Sequence, residues 1–302
     1  MRGGLGILVL AVALALPARA STLEAEIRAD WAKDLKAIYE DFHRFPELAF
    51  QETRTAAIMA RQLGAIPGMK VTEGVGRTGV VGVLANGAGP VLLLRADMDG
   101  LPVRENSGLA VQSRHTQVDA NGVRQPTMHA CGHDTHITGL IATARRLAAH
   151  RDKWAGTIVF VVQPAEETLA GAKAMVEDGL YTRFPKPSHA LAWHVAAGLP
   201  TGTISFSDAI QYSSSDGVDV IVPGVGAHGA SPHMGRDPVF IGSAIVMALQ
   251  SVRSREFSPL EPSVITVGTF QAGTARNIIP DEARLGLTLR ANSEETRAAQ
   301  LA

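Results

Sequence analysis

Leu23, Ile27, Trp31, Leu35, Ile38 and Phe42 recur at three- and four-residue intervals, with Glu, Lys and Asp between them. That spacing draws one apolar stripe along an amphipathic helix. The helix is expected to end near His43-Arg44-Phe45-Pro46-Glu47, because proline biases the residue before it away from helical angles. A second helix is predicted over Thr53 to Leu63. The pattern then changes to short, nearly continuous apolar runs at Gly79 to Leu84, Val91 to Leu94 and Thr157 to Val162, with a weaker one at His189 to Trp193. Strands apolar on both faces belong inside a sheet covered on two sides. Between two of them lies Ile137 to Ala149, a predicted helix with Leu140, Ile141, Ala144 and Leu147 on one side. Helices alternating with such strands imply an α/β sandwich with a largely parallel sheet.

A polar, serine-rich passage from Asp208 to Asp216 leads into a different arrangement. Val218 to Val222, a helix from about Pro238 to Val252, strands at Ser263 to Phe270 and Ala283 to Leu289, and a helix opening at Ser293 follow in turn. The order β-α-β-β-α suggests a smaller α+β domain of the split βαβ, ferredoxin-like type, which normally closes with one more strand. The expected domains are residues 21–212 and 213–302, since a chain this long exceeds one ordinary core. Residues 1–20 stand apart: Arg2 precedes an apolar run from Leu5 to Leu16, and Ala18-Arg19-Ala20 has the form of a cleavage site. This is the pattern of a secretory signal peptide rather than a membrane span, so a periplasmic or secreted protein without a stable membrane span is expected.

The 28 Lys and Arg residues balance 29 Asp and Glu, and without Arg2 and Arg19 the net charge is about −3 with no basic block. That balance argues against a nucleic-acid partner. Cys131 is the only cysteine, so no internal disulfide is possible even in an oxidising compartment.

Candidate chemistry gathers where predicted strands end. Arg95 to Gly100 follows the Val91 strand, Gln163 to Glu167 the Thr157 strand and His194 the Ala190 strand, while Cys131 to His136 precedes a helix. In an open parallel sheet the carboxyl ends of strands share one edge, where ligands bind. Cys131 and His133 lie two apart, and Gly132 between them lets sulfur and imidazole face a common centre. Thiolate, imidazole and carboxylate together suit zinc or cobalt and keep manganese possible. Glu166 and Glu167 point in different directions if the backbone is extended, so that one holds metal and the other faces substrate. The same pair also reads as a helix N-terminus. His129 and His136 are candidate ligands by chemistry, with an orienting role or a surface position equally open for each. Asp97 is favoured as an orienter, and Asp99 before Gly100 as a turn-former. In the second domain, Gly224 to His233 places His228 in a glycine-rich segment, readable as a ligand loop or as a hairpin. Gly273 to Pro280 offers the Arg276 guanidinium and the Asn277 amide to a substrate carboxylate, or forms a plain turn.

Taken in order, His43 to Glu47, Arg95 to Pro102, Met128 to His136, Gln163 to Glu167, His194, Gly226 to Pro232 and Asn277 to Pro280 form a specific set. The chain resembles, over nearly all of Ser21 to Ala302, the two-metal amidohydrolase and carboxypeptidase family that includes aminoacylases, hippurate hydrolase and indole-acetyl-amino-acid hydrolases. The resemblance implies a metallo-exopeptidase-like catalytic domain in which Cys131, His133, Glu167 and His194 bind two divalent metal ions (zinc, manganese or cobalt), with Cys131 bridging. It implies that Glu166 is the general base and that Asp97 stands behind the metal ligands. Arg95, where relatives resembling aminopeptidases have a histidine ligand, and Cys131, in place of a bridging aspartate, point to the hippurate-hydrolase branch. The resemblance further implies a homodimer, with His228 in the dimerisation domain reaching the other subunit's site and Asn277 helping to hold substrate. It also implies one more metal-binding histidine near a longer C-terminus and the remaining strand of the second domain. The last histidine here is His233, so the chain is read as C-terminally truncated, with an incomplete second domain.

The function expected is metal-dependent hydrolysis of the amide bond of N-acyl amino acids or small peptides. Metal-bound hydroxide attacks the carbonyl, while Glu166 takes the proton from water and returns it to the departing amine. Two other readings stay open: a cysteine-nucleophile amidase pairing Cys131 with His133 or His136, and a metal- or peptide-binding protein that keeps the fold without turnover. Chelator-sensitive, metal-restored turnover distinguishes the first reading from both.

Overall fold

A computed structural model describes residues 22–206, 208 and 212–302. The signal-peptide reading of residues 1–20 lies outside the described residues, as does part of the serine-rich passage. Two compact units divide between Gly198 and Leu199, so the described residues between 199 and 212, expected in the first domain, group with the second unit.

The first unit opens with α1 (Leu23–Asp30), where the Thr22 hydroxyl accepts the Ala25 N–H, and continues through a π-helical turn (Trp31–Leu35) into α2 (Lys36–Arg44). A four-residue spacing drifts by about 40° per step around an ideal α-helix, so Leu23, Ile27, Trp31 and Leu35 cannot hold one face without a local change of pitch. Leu35 and Phe42 are buried, whereas Leu23, Ile27 and Trp31 stay exposed. The expected single amphipathic helix is therefore interrupted, and only its second half faces the core. α3 (Thr53–Gly64) follows, started by the Glu47 carboxylate, which accepts the N–H groups of Arg54 and Thr55.

The sheet comprises β1 (Met69–Val75), β2 (Gly79–Asn86), β3 (Val91–Asp97), β6 (Gly156–Gln163) and β7 (His189–Ala192), in the order β1-β2-β6-β3-β7. A small hairpin of β4 (Thr116–Val118) and β5 (Arg124–Pro126) lies between β3 and the long helix α4 (His133–Ala149). β3 pairs parallel with both β6 and β7, while β2 runs antiparallel to its neighbours. Four of the five strands thus share one direction, and only β2 opposes them. The hydrophobic pattern did not mark β1, whose Lys70, Thr72 and Glu73 interrupt any apolar run. β7 is an edge strand with all four residues exposed.

One core lies between the sheet and α2, α3 and α4, with Phe42, Met59, Leu63, Leu84, Ile137, Ile141 and Phe160 fully enclosed. Burying a side chain of this size contributes roughly 1.5–3 kcal/mol. A smaller core on the other face joins Val81, Val159 and Val161 to Met175 of α5 (Gly171–Glu177) and to Leu180. The doubly apolar strands read from the sequence are the ones covered on both sides.

The second unit is built on a three-stranded antiparallel sheet, β10 (Ser263–Ala272), β12 (Glu282–Ala291) and β8 (Asp216–Pro223), in that order. α6 (Pro238–Arg255) packs Ile241, Ile245 and Leu249 toward Val222, Leu285 and Leu287. The Asp237 carboxylate caps α6 by accepting the Val239 and Phe240 N–H groups, and Pro238 occupies its first turn. β9 (Ala227–His228) pairs with β11 (Ile278–Ile279), and α7 (Glu294–Leu301) ends the described chain. Among the described residues, no helix is long and apolar enough to cross a membrane.

Candidate metal centre

The carboxyl ends of β3, β6 and β7 lie at one sheet edge, because all three strands run parallel. Asp97 ends β3, Glu166 and Glu167 follow β6 in a turn, and His194 follows β7. α4 delivers the remaining donors. It starts at His133, four residues earlier than expected, with Gly132 as its N-cap in the left-handed conformation at φ +85°. A Cβ at Gly132 would lie 2.4 Å from Val195 Cγ2, so glycine is required both by the turn and by the segment carrying His194.

His133 is the hub, fully buried. Its Nδ1 donates to the Asp99 carbonyl oxygen at 2.8 Å, which fixes the tautomer and leaves Nε2 as the free donor atom. Nε2 has no hydrogen-bond partner and stands 3.8 Å from Glu166 Oε2 and 3.9 Å from Glu167 Oε1. Glu167 Oε1 is likewise buried without a partner. Cys131 Sγ lies 3.3 Å from His194 Nε2, whose other nitrogen donates to the Val195 carbonyl oxygen at 2.7 Å. Three groups therefore share His133: Cys131 with His194, Glu166 with Glu167, and Asp97 with His136, the atoms of each group lying within 4.8 Å of one another, and Asp97 Oδ2 stands 3.6 Å from His133 Nε2.

Buried lone-pair atoms left facing one another are costly unless a cation joins them. One thiol, two imidazoles and two carboxylates are a donor set for borderline-soft divalent ions. The residues thus fit a dinuclear site, with sulfur and imidazole on one side and carboxylate on the other.

Electrostatics agree with that reading. Burial pushes the Cys131 thiol up to about 11, and Glu167, Glu166 and Asp97 push the same way. A nucleophilic cysteine needs the opposite, a thiolate favoured by nearby positive charge. Burial also raises the Glu167 carboxyl, aided by Asp99 and Glu166 and opposed by His133. A cation between these groups would relieve both penalties.

Asp97 is held for another task. Its Oδ1 accepts from His136 Nδ1 at 2.6 Å, and Oδ2 pairs with Arg95 at 2.6 Å. Burial alone would raise its pKa, but the His136 hydrogen bond, Arg95 and His133 outweigh burial and bring it to about 2. His136 Nε2 accepts the Val195 N–H at 3.0 Å, so both of its nitrogens are occupied. His136 thus links Asp97 to the backbone beside His194.

Three features differ from the sequence expectation or escaped it. Glu166 and Glu167 are not in extended backbone: they sit in a turn after the left-handed Ala165, and both carboxylates approach His133. Exposure separates them instead, since Glu166 is about twice as open to solvent as Glu167. Asp99 does more than shape its own turn, because its carboxylate accepts the N–H groups of Glu166 at 2.9 Å and Glu167 at 3.0 Å. His43 anchors the start of α4, its Nδ1 lying 2.7 Å from Asp134 and its Nε2 3.3 Å from Glu105. The only advance signal for His43 was its place in an ordered set of motifs.

In the second unit, the β9–β11 pairing sets His228 opposite Ile278, and the Gly229 N–H donates to the Asn277 carbonyl at 2.8 Å. His228 and Asn277 are thereby brought together within that unit. Arg276 lines a cavity of about 560 Å³ with Gly229, Pro232, Asp237 and Pro280.

The profile of peptidase family M20/M25/M40 matches residues 93–289. Hippurate hydrolase of Campylobacter jejuni is 39% identical over 272 residues, covering 89% of this chain and 67% of that protein. N-acetyldiaminopimelate deacetylase of Bacillus licheniformis is 38% identical over 259 residues, covering 85% and 66%. This chain therefore spans about two thirds of the length of these relatives. The crystal structure of a Bacillus subtilis protein, a dinuclear metal-binding peptidase of the M20 family, superposes with a TM-score of 0.69 at 31% identity, covering 90% of this chain and 67% of that one. With the profile match covering well over half of the sequence and the donor cluster inside the matched region, the chain belongs to peptidase family M20/M25/M40.

Proposed function

We propose that this protein hydrolyses the amide bond of N-acyl amino acids or small peptides with two divalent cations held at the His133 cluster. The observation that carries the reading is the pair of buried, unpartnered atoms, His133 Nε2 and Glu167 Oε1, facing each other among donors from two strand ends and a helix start. Cys131, His133, Glu167 and His194 would hold the cations. Zinc, manganese and cobalt all suit this donor set. When bound, such ions polarise a carbonyl and lower the pKa of water.

Glu166 is the general base and acid. It lies at the rim, more open than Glu167, where it accepts a proton from water and delivers it to the departing nitrogen, so that the amine leaves neutral. Asp97 acts through others: it orients His136, and through it the backbone beside His194. The substrate class is supported by the two relatives named above, since hippurate and N-acetyldiaminopimelate are both N-acylated amino acids. In the second unit, Arg276, Asn277 and His228 are the candidates for holding the substrate's carboxylate and carbonyl. The exposed Phe240 and Met247 of α6 support a homodimer through this unit, and residues 1–20 support export.

The test is metal content together with turnover on a panel of N-acetyl and N-benzoyl amino acids. Turnover that dies with chelator, returns with added Zn²⁺, Mn²⁺ or Co²⁺ and fails in Glu166→Gln supports the reading. Turnover blocked by thiol alkylation but indifferent to chelator would replace it with the cysteine-nucleophile reading.

A further inference from the structure

Three successive backbone N–H groups after β6 are held by two buried carboxylates. Glu166 and Glu167 donate to Asp99, as described, and Ala165 donates to Glu52 Oε1 at 2.8 Å. Glu52 is completely buried. The same Oε1 accepts the Phe50 N–H at 2.9 Å, and Oε2 accepts the Thr78 hydroxyl at 2.5 Å. One acid thus ties together the entry to α3, the β1–β2 connection and the turn that carries the Glu166–Glu167 pair.

That turn needs restraint. Ala165 at φ +47° and Leu169 at φ +56° both occupy the left-handed region, which side chains other than glycine adopt at a cost. Such backbone persists only where its surroundings over-determine it. The Ala165 carbonyl oxygen accepts the N–H groups of Ala170 and Gly171, and the Glu166 carbonyl oxygen that of Leu169, so the turn closes upon itself. Its approach to the body of the unit is set from outside by Glu52 and Asp99. Burying a carboxylate is expensive, and burial does push the Glu52 carboxyl up, while its hydrogen bonds from Thr78 and Ala165 pull the other way. An exposed Asn or Ser caps a turn more cheaply. Spending a buried acid here makes sense where the position of the turn matters more than its mere closure.

We propose that Glu52 is a positioning residue: its carboxylate locks Ala165 in the left-handed conformation from which the Glu166 and Glu167 side chains both reach His133. This rests on the roles given above to Glu166 and Glu167. It adds a residue from outside the cluster, lying 113 positions before the turn it controls.

The test compares the full chain with Glu52→Ala, Glu52→Gln and Thr78→Val. Three quantities are read: amide hydrogen exchange across residues 163–171, Zn²⁺ and Mn²⁺ affinity by calorimetry, and kcat and KM on an N-acyl amino acid. Glu52→Ala is expected to speed exchange at Ala165 to Glu167 about tenfold, to weaken cation binding by a similar factor, and to lower kcat with little change in KM. Exchange in β6 stays as in the parent. Glu52→Gln recovers most of the loss, because its carbonyl oxygen still accepts both N–H groups and its amide donates to Thr78. Thr78→Val removes one of the three donors and falls between; it carries the test if Glu52→Ala does not fold. Unaltered exchange and cation affinity in whichever of these two variants folds overturn the proposal. An inactive parent that binds cations and shows the exchange effect overturns the hydrolytic reading instead, and leaves the Glu52 assignment supported.

Discussion

His129 is enclosed near the start of α4, and neither ring nitrogen has a partner. Burial lowers its pKa from 6.5 to about 4, with the charges of His133 and His43 adding to burial and those of Asp134 and Asp99 opposing it. Between those two values the unfolded chain takes up a proton that the native chain refuses, so stability falls as pH drops from 6.5 toward 4, by roughly 3 kcal/mol at full effect. Urea unfolding across this range checks it, and His129→Leu is expected to flatten that limb. Among the cluster residues, Glu166→Gln is expected to lower kcat by about 10²–10⁴-fold with cation stoichiometry unchanged. Loss of bound metal in that variant would instead make Glu166 a ligand. Cys131, His133, Glu167 and His194 were legible as candidate donors because each lies just after a predicted strand or just before a predicted helix. Glu52, Asp99 and His129 were not, because their meaning lies in partners or enclosure supplied by the fold. Asp99 meets Glu166 across 67 residues, and His43 meets Asp134 across 91.

At the level of elements, the segment bearing His194 is seated on two bare places on α4. A Cβ at Gly132 would meet Val195 at 2.4 Å, and one at Gly139 would meet the Trp193 ring at 2.4 Å. The two contacts flank His194. Alanine at position 139 gains about 1 kcal/mol of helix propensity, yet its methyl requires the indole to move. The clash governs the site: Gly139→Ala is expected to weaken cation binding even if α4 itself becomes more stable, and calorimetry beside thermal unfolding separates the two effects. Sequence periodicity located α4, α6 and the central strands within a few residues. It missed β1, a polar-interrupted strand that pairs with β2, and the π turn, which one continuous apolar stripe does not distinguish from α-helix.

For the molecule as a whole, cations that bind only the native first unit stabilise it by mass action, by about 2.7 kcal/mol at a hundredfold excess over Kd. Calorimetric scans with and without chelator are expected to show the shift, and Cys131→Ala with His133→Ala is expected to abolish it. The two-unit α/β and α+β organisation was legible because each half carries its own periodicity. The division at Gly198 was not, since residues 199–212 have no pattern to assign them. β7, described above as an edge strand, has a practical consequence for handling the protein. Its outer row of amides and carbonyls, with Leu191 at 61% exposure, is a template on which strands from neighbouring molecules can add. Concentrated solutions are therefore expected to self-associate through this rim, and a Leu191→Lys substitution should keep them dispersed in light scattering while sparing His194, three residues downstream.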